Sequence, residues 1–191
     1  MAGRLIVIGG LPGTGKSTIA PMVARRLCAS WLRVDAIEQA MRRSMGLGED
    51  VGEAGYVVAY AIAEANLALG HGVVADCVNP LALTRSAWRD VAARAQARIL
   101  EVELRCSDAT EHRRRVEVRE SDIEGLALPA WPAVAARRYE PWPEPHLLID
   151  TATVTPDQAA SRIVAASGFG TAEPGQPAEC LSRDPRPDHP C

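Results

Sequence analysis

The chain has 191 residues, 47% of them hydrophobic and 24% charged, with a formal net charge of −3. That is enough for one domain with its own core, and it excludes a disordered or collagen-like chain. The mildly acidic balance argues against a general basic surface for wrapping nucleic acid. No segment approaches the roughly 18 to 20 apolar residues of a membrane span, and no secretory signal is recognisable.

In chain order, short apolar runs alternate with helical patterns, which predicts a parallel sheet covered by helices. Arg4 to Gly9 reads as a buried strand. A glycine-rich turn follows, then a helix carrying Ile19, Val23 and Leu27 on one face, with Pro21 expected to cost a hydrogen bond or bend it. Trp31 to Val34 is a second strand ending at Asp35, and an alanine-rich helix over about 54–69 presents Val58, Ile62, Ala65 and Leu69 as its apolar stripe. Gly72 to Ala75 is the third strand, ending at Asp76, followed by a helix over about 81–95 with Trp88, Val91 and Ala95 inward.

Residues 99–106 alternate as a strand, but Glu101, Glu103 and Arg105 occupy one side, unlike a central parallel strand. An arginine-rich helix over about 109–120, a Gly/Pro-punctuated loop to Pro132, a short helix to Tyr139, a strand at 147–149 and a helix at 156–166 complete the pattern. From about residue 169 to 191, prolines, glycines and charges interleave without periodicity, as in a disordered tail. The domain is therefore expected to span 1–168.

The five cysteines, Cys28, Cys77, Cys106, Cys180 and Cys191, show no CxxC spacing and suggest neither a disulfide framework nor a zinc site. A reducing cytoplasm suits them. Of the 21 basic residues only Lys16 is a lysine; a chain otherwise built on arginine keeps an ammonium at one place.

That place is Gly10-Leu11-Pro12-Gly13-Thr14-Gly15-Lys16-Ser17-Thr18, which satisfies G-x-x-x-x-G-K-S/T between a strand and a helix. Gly10, Gly13 and Gly15 let the backbone wrap a phosphate, and the amides of Thr14 to Thr18 meet it at the helix N-terminus. Lys16 is expected at the β and γ oxygens, and the Ser17 hydroxyl on Mg²⁺. A GTPase would need N-K-x-D, and no second lysine exists to supply it. A motor ATPase would usually follow its strand-end aspartate with glutamate, whereas Cys77 follows Asp76. Asp122-Ile123-Glu124-Gly125 matches D-x-x-G, but after a charged helix, and is read as a loop.

With this loop in place, residues 4–166 resemble the P-loop small-molecule and polynucleotide kinases: polynucleotide 5′-kinases, adenylylsulfate kinases, gluconate kinases and the chloramphenicol phosphotransferase group. The resemblance implies an α/β three-layer fold with a five-stranded parallel sheet of order 2-3-1-4-5 and a small helical lid at about 109–132. It implies ATP and Mg²⁺, and Asp35 as the carboxylate accepting the acceptor hydroxyl's proton; the alternative for Asp35 is an N-cap of a helix beginning at Ala36. Asp76 would join Ser17 around Mg²⁺ or serve as a turn residue, and Asn79 and Arg85 would face the acceptor. Arg115 and Arg119, four apart on a lid helix, would both reach the transferring phosphoryl, or belong to a solvated face with Glu111, Glu117 and Glu120. Arg113 is expected at the surface and Arg137 and Arg138 as possible lid partners. Trp131, Tyr139 and Trp142 either stack on an acceptor or cap the core.

Two departures bear on the acceptor. Polynucleotide kinases of this type usually place arginine three residues after the aspartate, where this chain has Glu38. The D-G-D-N segment of adenylylsulfate kinases is not recognisable. The expectation is a cytoplasmic ATP-dependent kinase, monomer or homodimer, acting on a hydroxyl of a small molecule rather than nucleic acid, with Glu38 disfavouring an anionic acceptor. The alternatives are an adenylylsulfate, nucleoside or polynucleotide kinase, and an ATP-binding regulator without phosphotransfer.

Overall fold

The computed structural model describes residues 2–45 and 51–168; the expected tail lies outside them. Twelve elements follow one another: β1 (Arg4–Gly9), α1 (Lys16–Arg26), β2 (Ser30–Arg33), α2 (Val34–Met45), α3 (Ala54–Ala68), β3 (Gly72–Asp76), α4 (Ala82–Arg94), β4 (Arg98–Arg105), α5 (Ala109–Glu117), α6 (Trp131–Ala135), β5 (Leu147–Asp150) and α7 (Pro156–Ser167). The sheet is five-stranded, all parallel, in the expected order β2-β3-β1-β4-β5. β1 is central, with Ile8 beside Asp76, so the loops leaving β1 and β3 emerge together at the carboxyl edge, where α/β sheets present ligand sites.

Alternation along β1 sends side chains to two cores. Ile6 and Ile8 join Ile19, Val23, Ile163 and Ile149 under α1 and α7. Leu5 and Val7 join Ala63, Leu67, Trp88 and Val91 under α3 and α4. α1 runs continuously through Pro21. The charged side of β4 is accommodated by partners: Arg89 of α4 donates to Glu101 at 2.8 and 3.2 Å and to Glu144 at 2.8 Å, and His146 lies 3.2 Å from Glu103. A strand next to the sheet edge thus covers its polar face with ion pairs.

α3 corrects the sequence reading. Its buried residues are Gly55, Ala59, Ala63 and Leu67, whereas Ile62 and Leu69 are exposed. Small side chains let α3 approach α2 and the sheet, and close approach outweighs the size of the residues on the other stripe. Gly55 is one such position, because a Cβ there would run into Cγ of Glu38.

Candidate active site

The loop from Gly10 to Gly15 turns on glycines whose φ angles are 145°, 85° and 96° at Gly10, Gly13 and Gly15, conformations that other residues rarely adopt. Thr14 donates twice to the Leu11 carbonyl, from N at 3.3 Å and from Oγ1 at 2.8 Å. Lys16 Nζ reaches back to the carbonyls of Gly10 at 2.7 Å and Leu11 at 3.0 Å, arching over the turn. Burial lowers the Lys16 pKa, and the nearby Asp76 and Asp35 charges oppose that shift. α1 starts at Lys16 with no side-chain cap, so its first amides and positive dipole end face the turn. Ser17 is half-buried and Thr18 exposed.

Two groups missed in the sequence brace this loop. His112 Nε2 lies 2.8 Å from the Pro12 carbonyl, and a Cβ at Gly13 would strike Val116 and His112, so α5 seats directly on the turn. Arg33, at the end of β2, donates to Ser17 Oγ at 3.3 Å and to Asp122 Oδ2 at 2.7 Å. No local spacing signals a contact between residues 89 positions apart.

Asp76 closes β3 as expected and is 3% exposed. Burial pushes its carboxyl up to about 6, Asp35 adds to that, and Lys16 and Arg33 oppose it. Its Oδ2 is buried without a hydrogen-bond partner. A buried carboxylate oxygen with no donor, within reach of the Lys16 charge, fits a hard, oxygen-preferring cation such as Mg²⁺.

Asp35 is not an N-cap, because α2 already begins at Val34. It occupies the helix's first turn, with Glu38 one turn further. Glu38 is ion-paired to Arg42 at 3.4 Å; burial raises its pKa, the Asp35 charge raises it further, and Arg42 opposes. Both carboxylates line two adjoining cavities. One, about 440 Å³, lies between α2, α3 and α4, with Tyr56, Tyr60, Val57, Pro80, Leu83 and Ala87 among its walls. The other, about 720 Å³, is bounded by Pro12, Gln39, Arg42, Arg119 and residues 125–129. Val78 and Arg137 also face both.

Asn79 and Arg85, expected to face an acceptor, open onto neither cavity. Both are completely buried. Asn79 has φ 52°, and its backbone N–H donates to Tyr56 Oη at 3.0 Å. Arg85 lies on the inner side of α4, donates to the Pro141 carbonyl at 2.8 Å and the Asn79 carbonyl at 3.4 Å, and stacks 5.0 Å from the Trp142 ring. An arginine pointed at the core needs such acceptors; here it ties the 139–142 segment to the loop after β3. Trp142 is therefore a core residue, bonded to Tyr139 at 3.0 Å, and Trp131 packs edge-on against His112.

The lid pair also separates. α5 ends at Glu117, so Arg119 lies beyond the helix and shares no face with Arg115. Arg115 is held by Glu111 at 2.8 Å and by Thr151 Oγ1 and O at 3.0 and 3.1 Å, which commits it to the loop after β5. Arg119 lines the larger cavity with Pro12 and Asp35. Arg113 is exposed and paired with Glu117, as expected of a surface residue.

With this geometry in view, residues 5–139 match the AAA domain family model. The chain belongs to that family. Among solved structures, the APS kinase CysC of Mycobacterium tuberculosis, in complex with AMPPNP and APS, is similar at 23% identity and TM-score 0.64, over 86% of this chain and 96% of that one. Kti12 of Chaetomium thermophilum with ADP-AlF3 is similar at 20% identity and TM-score 0.64, over 86% and 99%. A gluconokinase of Sinorhizobium meliloti is similar at 20% identity and TM-score 0.59, over 85% and 90%. These likenesses establish the shared fold. No curated protein matches at a significant level. No helix among the described residues is long and apolar enough to cross a membrane.

Proposed function

We propose that the chain is an ATP-dependent phosphotransferase that moves the γ-phosphoryl group, with Mg²⁺, to a hydroxyl of a small, non-anionic molecule. The observation that carries this reading is the position of Asp35, a wall of both the cavity that opens on the phosphate loop and the apolar cavity between α2, α3 and α4. A hydroxyl placed there has a base on one side and the phosphate loop on the other.

In this reading the loop amides and Lys16 hold the phosphates, and Asp35 takes the proton as the acceptor oxygen bonds to phosphorus and ADP leaves. Arg119 faces the charge that spreads over the transferring oxygens. Ser17 and Asp76 would hold Mg²⁺, which when bound neutralises phosphate charge. The fold likeness to an APS kinase with AMPPNP and to Kti12 with ADP-AlF3 supports the nucleotide.

For the acceptor, the smaller cavity has tyrosine and aliphatic walls, with three carboxylates, Asp35, Glu38 and Glu53, against one guanidinium, Arg137. Two like charges at such range cost on the order of 1 to 4 kcal/mol at intermediate dielectric, which disfavours a phosphate, sulfate or carboxylate on the acceptor. The unpaired Cys28, Cys77 and Cys106 suit a reducing cytoplasm. The test is ATP consumption with panels of neutral, amine-bearing and anionic hydroxyl compounds, including 5′-hydroxyl oligonucleotides. Acceptor-dependent ADP release that vanishes in Asp35→Asn supports the reading. Release with the oligonucleotide alone overturns the acceptor class, and binding of ATP without turnover on any panel makes the chain a regulator.

A further inference from the structure

Arg119 stands where a cation has to be accurate, yet no helix holds it. α5 stops at Glu117, and the backbone from 118 to 130 forms no helix or strand. Upstream the segment is anchored, since α5 is fixed to the phosphate loop by His112 and to the loop after β5 by Arg115. Downstream the first firm anchor is Asp122, whose Oδ2 receives the 2.7 Å hydrogen bond from Arg33.

This pair is asymmetric. The Arg33 side chain is 6% exposed and that of Asp122 65%. The guanidinium is buried at the end of β2 against Ser17, and the solvent-facing carboxylate comes onto it. Burial works against the Arg33 charge, and the Asp122 hydrogen bond together with the charges of Asp122, Asp76 and Asp35 outweighs it; the same bond lowers the Asp122 carboxyl. Two further contacts hold the same stretch to α2: Gln39 Nε2 donates to the Glu124 carbonyl at 3.3 Å, and Arg43 pairs with Glu124 at 3.0 Å. The latter is solvent-exposed on both sides and contributes little.

We propose that Arg33, acting through Asp122, is a positioning residue that sets Arg119 over the phosphate loop. Three residues of chain reach at most about 10 to 11 Å, so fixing Asp122 confines Arg119 to the mouth of the cleft. The tie also joins the segment bearing Arg119 to the β2–α2 junction that bears Asp35, so the cation for the phosphoryl group and the base for the acceptor share one frame. Removing the tie frees Arg119 without removing its charge. Displacement by about an ångström is enough to cost 10- to 100-fold in a preorganised site.

This inference rests on the phosphotransfer reading, and its test needs no acceptor. The full chain is titrated with Mg·ADP, with and without aluminium fluoride as a mimic of the transferring phosphoryl group, and the gain in affinity caused by the fluoride is compared among variants by calorimetry. Asp122→Ala is expected to lower that gain about 10-fold while ADP affinity alone stays within about twofold and the melting temperature confirms folding. Asp122→Glu should restore part of it. In an Arg119→Ala background, adding Asp122→Ala should cause no further loss, because the tie acts only through Arg119. An unchanged gain in Asp122→Ala, additive losses in the double variant, or an equal loss of ADP affinity overturns the positioning role. Absence of any fluoride-dependent gain in the unmodified chain overturns the phosphotransfer reading itself, and the positioning role with it.

Discussion

The phosphate loop and the cavity proposed for the acceptor meet at Asp35 but are built by different means. The loop is made of consecutive residues, and its shape is set by backbone: positive φ at glycines, Thr14 turned onto Leu11, and Lys16 folded over its own turn. The cavity has walls from α2, α3, the loop after β3, α4 and Arg137, and its shape is set by side chains, Tyr56, Val57 and Tyr60 of α3 among them. In the proposed reading one surface recognises a chemical group common to every nucleotide, and the other whatever its side chains admit. Substitutions on the two sides should therefore separate cleanly into effects on ATP and effects on the acceptor.

The sharpest way to break this contrast is at Lys16. Lys16→Ala should lower phosphoryl transfer by at least about 100-fold, whichever acceptor is used. As the sole lysine, Lys16 should also be the one side-chain amine labelled by an acylating reagent, and MgATP should protect it. Labelling unaffected by MgATP would remove the nucleotide from this side of the cleft.

Asp35→Asn is next. Turnover should fall about 100-fold or more, the range of a lost proton acceptor, with ATP affinity nearly unchanged. If ATP affinity falls in step with turnover, the two surfaces are not separable at this residue.

On the acceptor side, Glu38→Gln should relax discrimination against anionic acceptors by about 10-fold, the equivalent of about 1.4 kcal/mol, without changing the KM for ATP. Lower pH should imitate it. Burial and Asp35 raise the Glu38 pKa, so its charge is present above that raised value and is lost as pH falls through it. Discrimination should therefore fade at a higher pH than an ordinary carboxylate would give, and Glu38→Gln should abolish that pH dependence. A pH-independent ratio in the unmodified chain would exclude Glu38 from selectivity.

The smallest effect is expected at Gly55. Gly55→Ala places a methyl against Glu38 and should cost about 1 to 3 kcal/mol of stability by overpacking, with a several-fold rise in acceptor KM. Unchanged stability would mean that α2 and α3 separate more easily than their packing implies.

The same contrast explains what could be read from the sequence. The phosphate loop was legible because its residues are contiguous, and the sheet order followed from alternating strands and helices once the family resemblance was recognised. The inward face of α3 was not, since large apolar residues draw the eye while Gly55, Ala59 and Ala63 make the contact. Asn79 and Arg85 were assigned to the acceptor through the family resemblance of the segment around β3; the structure instead shows the carbonyl of Pro141 accepting from Arg85. Arg115 and Arg119 were joined by helical spacing across a boundary that the helix does not cross. Arg33 and Asp122 meet only through the tertiary fold, which no local pattern encodes.

The grip of Lys16 on the carbonyls of Gly10 and Leu11 carries a kinetic consequence. With the turn already closed around its own ammonium, no segment has to be ordered when a nucleotide arrives; the ammonium need only exchange carbonyl oxygens for phosphate oxygens. Encounter should then proceed at the rate of docking onto a preformed socket, and differences in affinity among nucleoside triphosphates should reside in how fast they leave.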